Sequence, residues 1–459
     1  MKTVIPFFLF FIVLAISCSS DSELLQENEE TTINETDGED ETKDDAEGEA
    51  VPDSEEETVA DEDSDTNEPI DVATALTAND LSARPMQPVD KPAYLQTIID
   101  PSFGTVIRRI SDAGAGNVIK PMYSTIQAWN ADESLMILYN QSSGVHQLLN
   151  GFDYAFIRNL DDIKPSDIEQ IYWDFNDPDI LFYMDDSNSD FVKYHINSRE
   201  KETVVNLKAI SNCTADVNSG NDVQMMSWDS DIIGFRCGNT SNYAYRISTQ
   251  ELITFDIADI NYTAAMPAPS GNLFYHGPDV YNLNGTLSKS LNEAKVEHSC
   301  LGKLIGGNDA HFAIAFAAGP QGGCLGNIIA HDLTTGECFS VISEEQGYDY
   351  SKSGTHISAV AHKNPGWIAA SMVGFDEDGQ SLLDQELIIA RVEKGNVQVY
   401  RIGHHRADEN EFPYWGEPHA VISPTGTRVL FGSDWSGVED GQSVDSYVVE
   451  LPSFQAPGE

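Results

Sequence analysis

From about residue 100 onward the chain repeats one phrase, an apolar strand, a tight turn and a second apolar strand. It reads Gln127-Ala128-Trp129-Asn130-Ala131-Asp132 before Leu135 to Tyr139, Tyr172-Trp173-Asp174-Phe175-Asn176-Asp177-Pro178 before Ile180 to Tyr183, and Ser227-Trp228-Asp229 before Ile232 to Phe235. Further copies are Ala268-Pro269-Ser270-Gly271 before Leu273 to Tyr275, Asn364-Pro365-Gly366 before Trp367 to Ser371, and Ser423-Pro424-Thr425-Gly426-Thr427 before Val429 to Gly432. A second phrase follows the first and reads strand, turn, strand. It is present as Tyr194-His195-Ile196-Asn197-Ser198-Arg199-Glu200, Tyr245-Arg246-Ile247-Ser248-Thr249-Gln250-Glu251 and His331-Asp332-Leu333-Thr334-Thr335-Gly336-Glu337.

The two phrases together make a four-stranded antiparallel unit of about 40 to 60 residues, which buries its faces only by stacking on copies of itself. Units centre near residues 129, 173, 228, 270, 310, 365 and 424. The reading is therefore all-β, a seven-bladed β-propeller over residues 91–459. The last unit has three clear strands, ending at Tyr447 to Leu451, and Thr105 to Ile110 is expected to supply the fourth and close the ring.

Charge divides the 459 residues in two. Asp and Glu number 75 against 25 Lys and Arg, a net charge of −50, and residues 21–71 hold 24 of the acids with one base. Residues 18–90 read as an acidic disordered linker, since almost nothing in them can offset the entropy of ordering. The charge argues against nucleic acid as a partner and against docking on anionic lipid through a basic patch. Ahead of the linker, Lys2 and the apolar run Val4 to Ile16 form a signal peptide over 1–17, too short for a helix that spans with about 20 residues. Ala15-Ile16-Ser17-Cys18 is similar to a bacterial lipobox, which implies lipidation of Cys18. With no Asp at position 19, an outer-membrane lipoprotein is expected, periplasmic or surface-exposed, monomeric, and held to the membrane through its lipid alone. Five further cysteines should fold in an oxidising compartment. Neighbouring strands would pair Cys213 with Cys237 and Cys324 with Cys338, leaving Cys300 over.

The Ser423-Pro424-Thr425-Gly426-Thr427 turn and its partner phrase Asp332-Leu333-Thr334-Thr335-Gly336-Glu337 resemble the TolB-type, WD40-like propeller repeat over most of residues 100–455. Glu417-Pro418-His419-Ala420-Val421-Ile422-Ser423-Pro424, with His356 to Trp367, is also similar to the propeller-type oligogalacturonate and ulvan lyases. In oligogalacturonate lyases a cluster of His and Gln binds a metal near the channel mouth. The resemblance thus implies an acidic polysaccharide or oligosaccharide as substrate and a β-eliminating carbon–oxygen lyase reaction.

Three consecutive units begin their innermost strands with histidine: His298, His356 and His419. Propellers bring such positions together around the axis, so the three are the expected metal ligands, for manganese, zinc or calcium, if any cofactor is used. Gln127, Gln170 and Gln224 occupy comparable positions, and the first two are expected to contact substrate. In the stretch before the last unit, His404, His405, Arg406, Tyr414 and Trp415 would form a sugar site, with aromatic stacking and an Arg for a carboxylate. Elimination needs a neutralising cation, a base and an acid. Arg406 or a metal is expected as the first, His356 or His419 as the second, and Tyr123 or Tyr414 as the third. The other reading is a non-catalytic propeller that binds a glycan or protein partner, and fold alone does not separate the two.

Overall fold

The computed structural model describes residues 70–456 apart from 221–223, 258–262, 296–297, 349–355, 375, 377, 409–413 and 437–441. The signal segment 1–17, Cys18 and the linker up to residue 69 lie outside the described residues. Among the described residues, helix is confined to Leu207–Ile210 and the short turn Glu344–Gln346, and no helix is long and apolar enough to cross a membrane. Everything else is strand and connection.

Seven antiparallel sheets form the seven expected blades. Blades 1 to 6 span residues 119–159, 171–206, 217–255, 266–290, 299–342 and 356–404, each with four strands. Blade 7 is built from both ends of the body. From the axis outward it runs Val421–Ile422, Arg428–Ser433, Asp445–Glu450, Val106–Arg109 and Thr97–Ile99. The expected closing strand is in place, with Val106 opposite Glu450 and Arg109 opposite Tyr447. The fifth strand, Thr97–Ile99, extends the blade beyond that expectation.

Burial follows the radius of each blade. Inner and middle strands such as Asp309–Ala315 and Gly326–Asp332 are buried along their length, while outer strands such as Phe156–Asn159 and Lys201–Asn206 alternate towards solvent. Strands buried on both faces read as continuous apolar runs, which is how Ile180–Met184 and Trp367–Met372 appear in the sequence. Where inner strands of adjacent blades converge, side chains must vanish. A Cβ on Gly302 would lie 2.5 Å from the Cβ of Ala359, so only glycine fits between blades 5 and 6 there.

The seam between blade 7 and blade 1 is charged and buried. Arg428, fully enclosed, pairs with Glu133 at 2.6 Å, and the same carboxylate accepts the Thr425 N–H at 2.6 Å. Asp445 is also enclosed and receives Arg109 at 2.8 Å and Lys91 at 2.9 Å. Both disulfides form as expected, Cys213–Cys237 and Cys324–Cys338, and Cys300 stays a buried thiol against the backbone of Ala359.

One boundary is corrected. Residues 70–90, expected in the linker, belong to the packed body. Val72 lies inside the main apolar cluster, Asn79 donates its N–H to Val399 O at 2.7 Å, and Met86 donates to Gly379 O at 2.7 Å. The acidic run ends at Asp71, and beyond it Val72, Ala73, Leu76 and Ala78 supply apolar side chains that pack on the body.

Buried histidines give the fold an acid limit. Burial pushes His146 and His362 down to about 4 and His405 to about 3. The His405 ring donates from Nε2 to Met372 O and accepts the Ala407 N–H at Nδ1, an arrangement only the neutral ring supports. Below pH 6.5 the unfolded chain binds more protons than the folded one at these sites, so stability present above pH 6.5 is lost as the pH falls towards about 4. Asp434, raised to about 7 by burial and the Asp408 carboxylate, acts in the opposite direction over the same range. Three such groups against one give a net loss, each worth about 1.4 kcal/mol per pH unit. The midpoint of urea unfolding should therefore fall between pH 7 and pH 5. His405→Gln, which reproduces both hydrogen bonds without a titrating group, should make that fall shallower.

Candidate functional site

The three inner-strand histidines arrive at one place because equivalent positions of consecutive blades sit side by side around the axis. His298 immediately precedes the strand Ser299–Lys303, His356 opens His356–Ser358, and His419 lies two residues before Val421–Ile422. Blade 1 adds a fourth ring. Its inner strand pairs at Ile119–Lys120 and again at Trp129, and the residues between loop out and carry Tyr123.

The rings are in mutual contact. Centroids of His298 and His356 are 4.0 Å apart, and those of His356 and His419 are 4.3 Å apart. Tyr123 stands edge-on to all three, at 6.4, 5.7 and 4.9 Å from His298, His356 and His419. Glu417 reaches the same point, its Oε2 lying 3.0 Å from His419 Nε2 and 3.5 Å from His356 Nε2. His356, Glu417 and His419 thus offer donor atoms within 4.8 Å of one another, a set suited to a divalent cation.

Several features keep His419 neutral and fixed. Burial, and then the charge of Lys120, hold the His419 ring well below the ordinary imidazole value, so it presents a lone pair. Its Nδ1 is buried with no hydrogen-bond partner. Residue 419 sits at φ 44°, a left-handed conformation that costs a side-chain-bearing residue about 1–2 kcal/mol. Such strain is retained where surrounding contacts dictate it. Lys120 donates to the Glu417 carbonyl at 2.8 Å and lies 5.6 Å from the Tyr414 ring centroid. Tyr414 donates its hydroxyl to Glu169 at 3.1 Å, and burial together with that carboxylate raises its phenol far above the usual value. At 41% exposure its ring is open to solvent, and Trp415 packs beside it at 5.1 Å.

The structure therefore brings together His298, His356, His419, Tyr123, Tyr414 and Trp415. It does not bring His404, His405 or Arg406 to them. His404 is enclosed against Phe103 and Asp100, and His405 is spent on backbone bonds. Arg406 donates to Gln87 O at 2.8 Å and lies 3.5 Å from Asp100. His404 and Arg406 pack against residues 85–105, which cover what looked like an open loop; Arg406 lines a separate cavity with Gln87, Lys91 and Trp435, away from the axial histidines. Gln127 and Gln170 are also buried. Gln127 reaches blades 6 and 7, donating to Val360 O and Ile422 O at 3.0 Å each and accepting the Trp129 N–H, while Gln170 accepts from Ser166. Gln224 makes the corresponding tie to Leu301. Sequence reasoning missed Lys120, Glu169 and the role of Glu417. Only the last carried a signal, two residues before His419 in the lyase-like phrase.

No family model matches the chain, and no curated protein does. Among solved structures it is similar to an oligogalacturonate lyase in complex with manganese, at 14% identity and a TM-score of 0.53, over 78% of this chain and 96% of that one. It is also similar to the oligogalacturonate lyase of Vibrio parahaemolyticus, at 14% identity and a TM-score of 0.54 over the same shares. At this identity the likeness is one of fold.

Because Gln127 ties blades 1, 6 and 7 beneath the cluster, Gln127→Ala should cost about 1–3 kcal/mol by leaving backbone groups unsatisfied. The unfolding midpoint should drop while saccharide binding at saturating concentration persists. Unchanged stability with lost binding would return Gln127 to the ligand site.

Proposed function

We propose that this propeller is a β-eliminating lyase of acidic oligosaccharides that works at the axial histidine cluster with a divalent cation. The observation that carries the reading is the convergence of three inner-strand imidazoles, a carboxylate and a tyrosine on one point of the axis, with His419 held neutral. The fold likeness to oligogalacturonate lyases, one of them bound to manganese, supports the substrate class. On this reading the Cys18 anchor holds the enzyme at the outer membrane.

His356, His419 and Glu417 would hold the cation, which would neutralise the uronate carboxylate and so acidify the neighbouring C–H. Lys120 adds positive potential beneath the same point. Elimination removes the proton from C5, breaks the C4–O bond, leaves a C4=C5 double bond and returns a proton to the departing oxygen. Tyr123 and His298, both half-buried at the cluster, are placed for these two proton transfers. The exposed Tyr414 ring offers a face for a sugar, while its raised phenol stays protonated and committed to Glu169. Arg406, the neutraliser expected from sequence, has no part in this arrangement.

Release of unsaturated product, followed by ultraviolet absorbance across a panel of uronate oligosaccharides with manganese, tests the reading. Product should form from at least one of them and stop on chelation. Tyr123→Phe should lower turnover by about 10²–10⁴-fold without unfolding the protein. Saccharide binding with no product from any substrate would assign a non-catalytic binding propeller instead.

A further inference from the structure

A second group of metal-type donors lies between blades 4 and 5 and shares no residue with the axial cluster. His311, in the strand Asp309–Ala315, and His331, in Gly326–Asp332, stand directly opposite each other across the antiparallel pair, both side chains fully enclosed. Glu293 enters from the connection between the blades. Its Oε2 lies 3.0 Å from His311 Nδ1 and 3.6 Å from His331 Nδ1. Its other oxygen accepts the Tyr275 hydroxyl at 2.7 Å, and the Tyr275 ring stacks on His311 with centroids 4.0 Å apart.

The hydrogen bonding of His331 shows what is missing from this group. Its Nε2 faces the Asn292 carbonyl at 3.2 Å, and a carbonyl only accepts, so Nε2 carries the proton. In the neutral ring Nδ1 is then a lone pair. It is buried, has no hydrogen-bond partner, and points at a carboxylate oxygen. A ring lone pair and a carboxylate oxygen facing each other in an enclosed site repel, and a cation between them removes the conflict.

We infer that Glu293, His311 and His331 form a structural site for a divalent transition metal, zinc by the chemistry of two imidazoles and a carboxylate, with a water molecule as the fourth ligand. Ligand atoms of a tetrahedral zinc sit about 3.3 Å apart, given metal–ligand distances of about 2.0–2.1 Å. The separations of 3.0 and 3.6 Å bracket that value. Enclosure leaves no open face for a substrate. The ion would fasten the blade 4–5 connection to both strands of blade 5, with Tyr275 of blade 4 orienting the carboxylate.

The test uses the full chain carrying His356→Ala and His419→Ala, so that axial binding does not enter the result. After stripping with chelator, loading with zinc and dialysis, this variant should retain one zinc by elemental analysis and melt at a higher temperature than its stripped form. Adding Glu293→Gln or His331→Gln should abolish both the retained zinc and the shift. Should these fail to fold, Tyr275→Phe keeps all three donors and is expected to weaken zinc binding about 10–100-fold. Absence of zinc from the parent variant, zinc retained undiminished in Glu293→Gln or His331→Gln, or unchanged affinity in Tyr275→Phe would each overturn the assignment. Loss of the axial metal alone from the wild-type chain would speak only to the lyase reading.

Discussion

The pairing of Val106–Arg109 with Asp445–Glu450 turns seven stacked sheets into a closed ring, and the position of every inner strand depends on it. Without it, blade 7 would end in an unpaired strand and blade 1 would have no neighbour on one side. The join is secured by more than its backbone ladder. Arg108 reaches Glu450 at 2.8 Å, Asp445 gathers Arg109 and Lys91, and the buried Arg428–Glu133 pair locks the two blades at the seam. Removing one member of such a pair would leave a charge in a dry interior, so the seam is cooperative: its charges are stable together and costly apart. His419 stands on blade 7 and Tyr123 on blade 1, so the candidate site straddles this seam.

Closure also decides what the axis can do. Gln127 ties the inner strands of blades 6 and 7 to blade 1, and Gln224 ties blade 5 to blade 3, through backbone carbonyls, so inner strands are bonded to one another across the blades. Chemistry is thereby confined to the mouth, where Tyr123 and His298 remain half-buried. In a chain so acidic overall, the placing of Lys120 beside His419 has two effects. It disfavours protonation of the imidazole and supplies positive potential where an anionic sugar would approach.

Blade number, the closing strand and both disulfides were legible in the sequence because each rests on local pattern: strand, turn and strand at a steady period, with cysteines on neighbouring strands. The convergence of His298, His356 and His419 followed from the same register. What failed was anything that depended on distant chain. His404, His405 and Arg406 looked like a solvent-facing loop, but the strand Gln398–His404 runs on to the first of them, Asp100 and Phe103 enclose His404, and Gln87 and Asp100 hold Arg406. Residues 70–90 have few aromatics and follow the acidic run directly, so Val72 and the backbone pairings of Asn79 and Met86 gave no local signal. Lys120 and Glu169 gave no motif, since each meets the site only after the ring has closed. His311 and His331 become neighbours solely through antiparallel pairing.

The central claim is that the axial cluster is a cation-binding centre. Diffraction from crystals of the protein soaked in manganese, recorded at the manganese absorption edge, addresses it directly. The account expects an anomalous peak bounded by His356, Glu417 and His419 beside Tyr123. Crystals with no peak there, or with manganese bound only elsewhere, would contradict it.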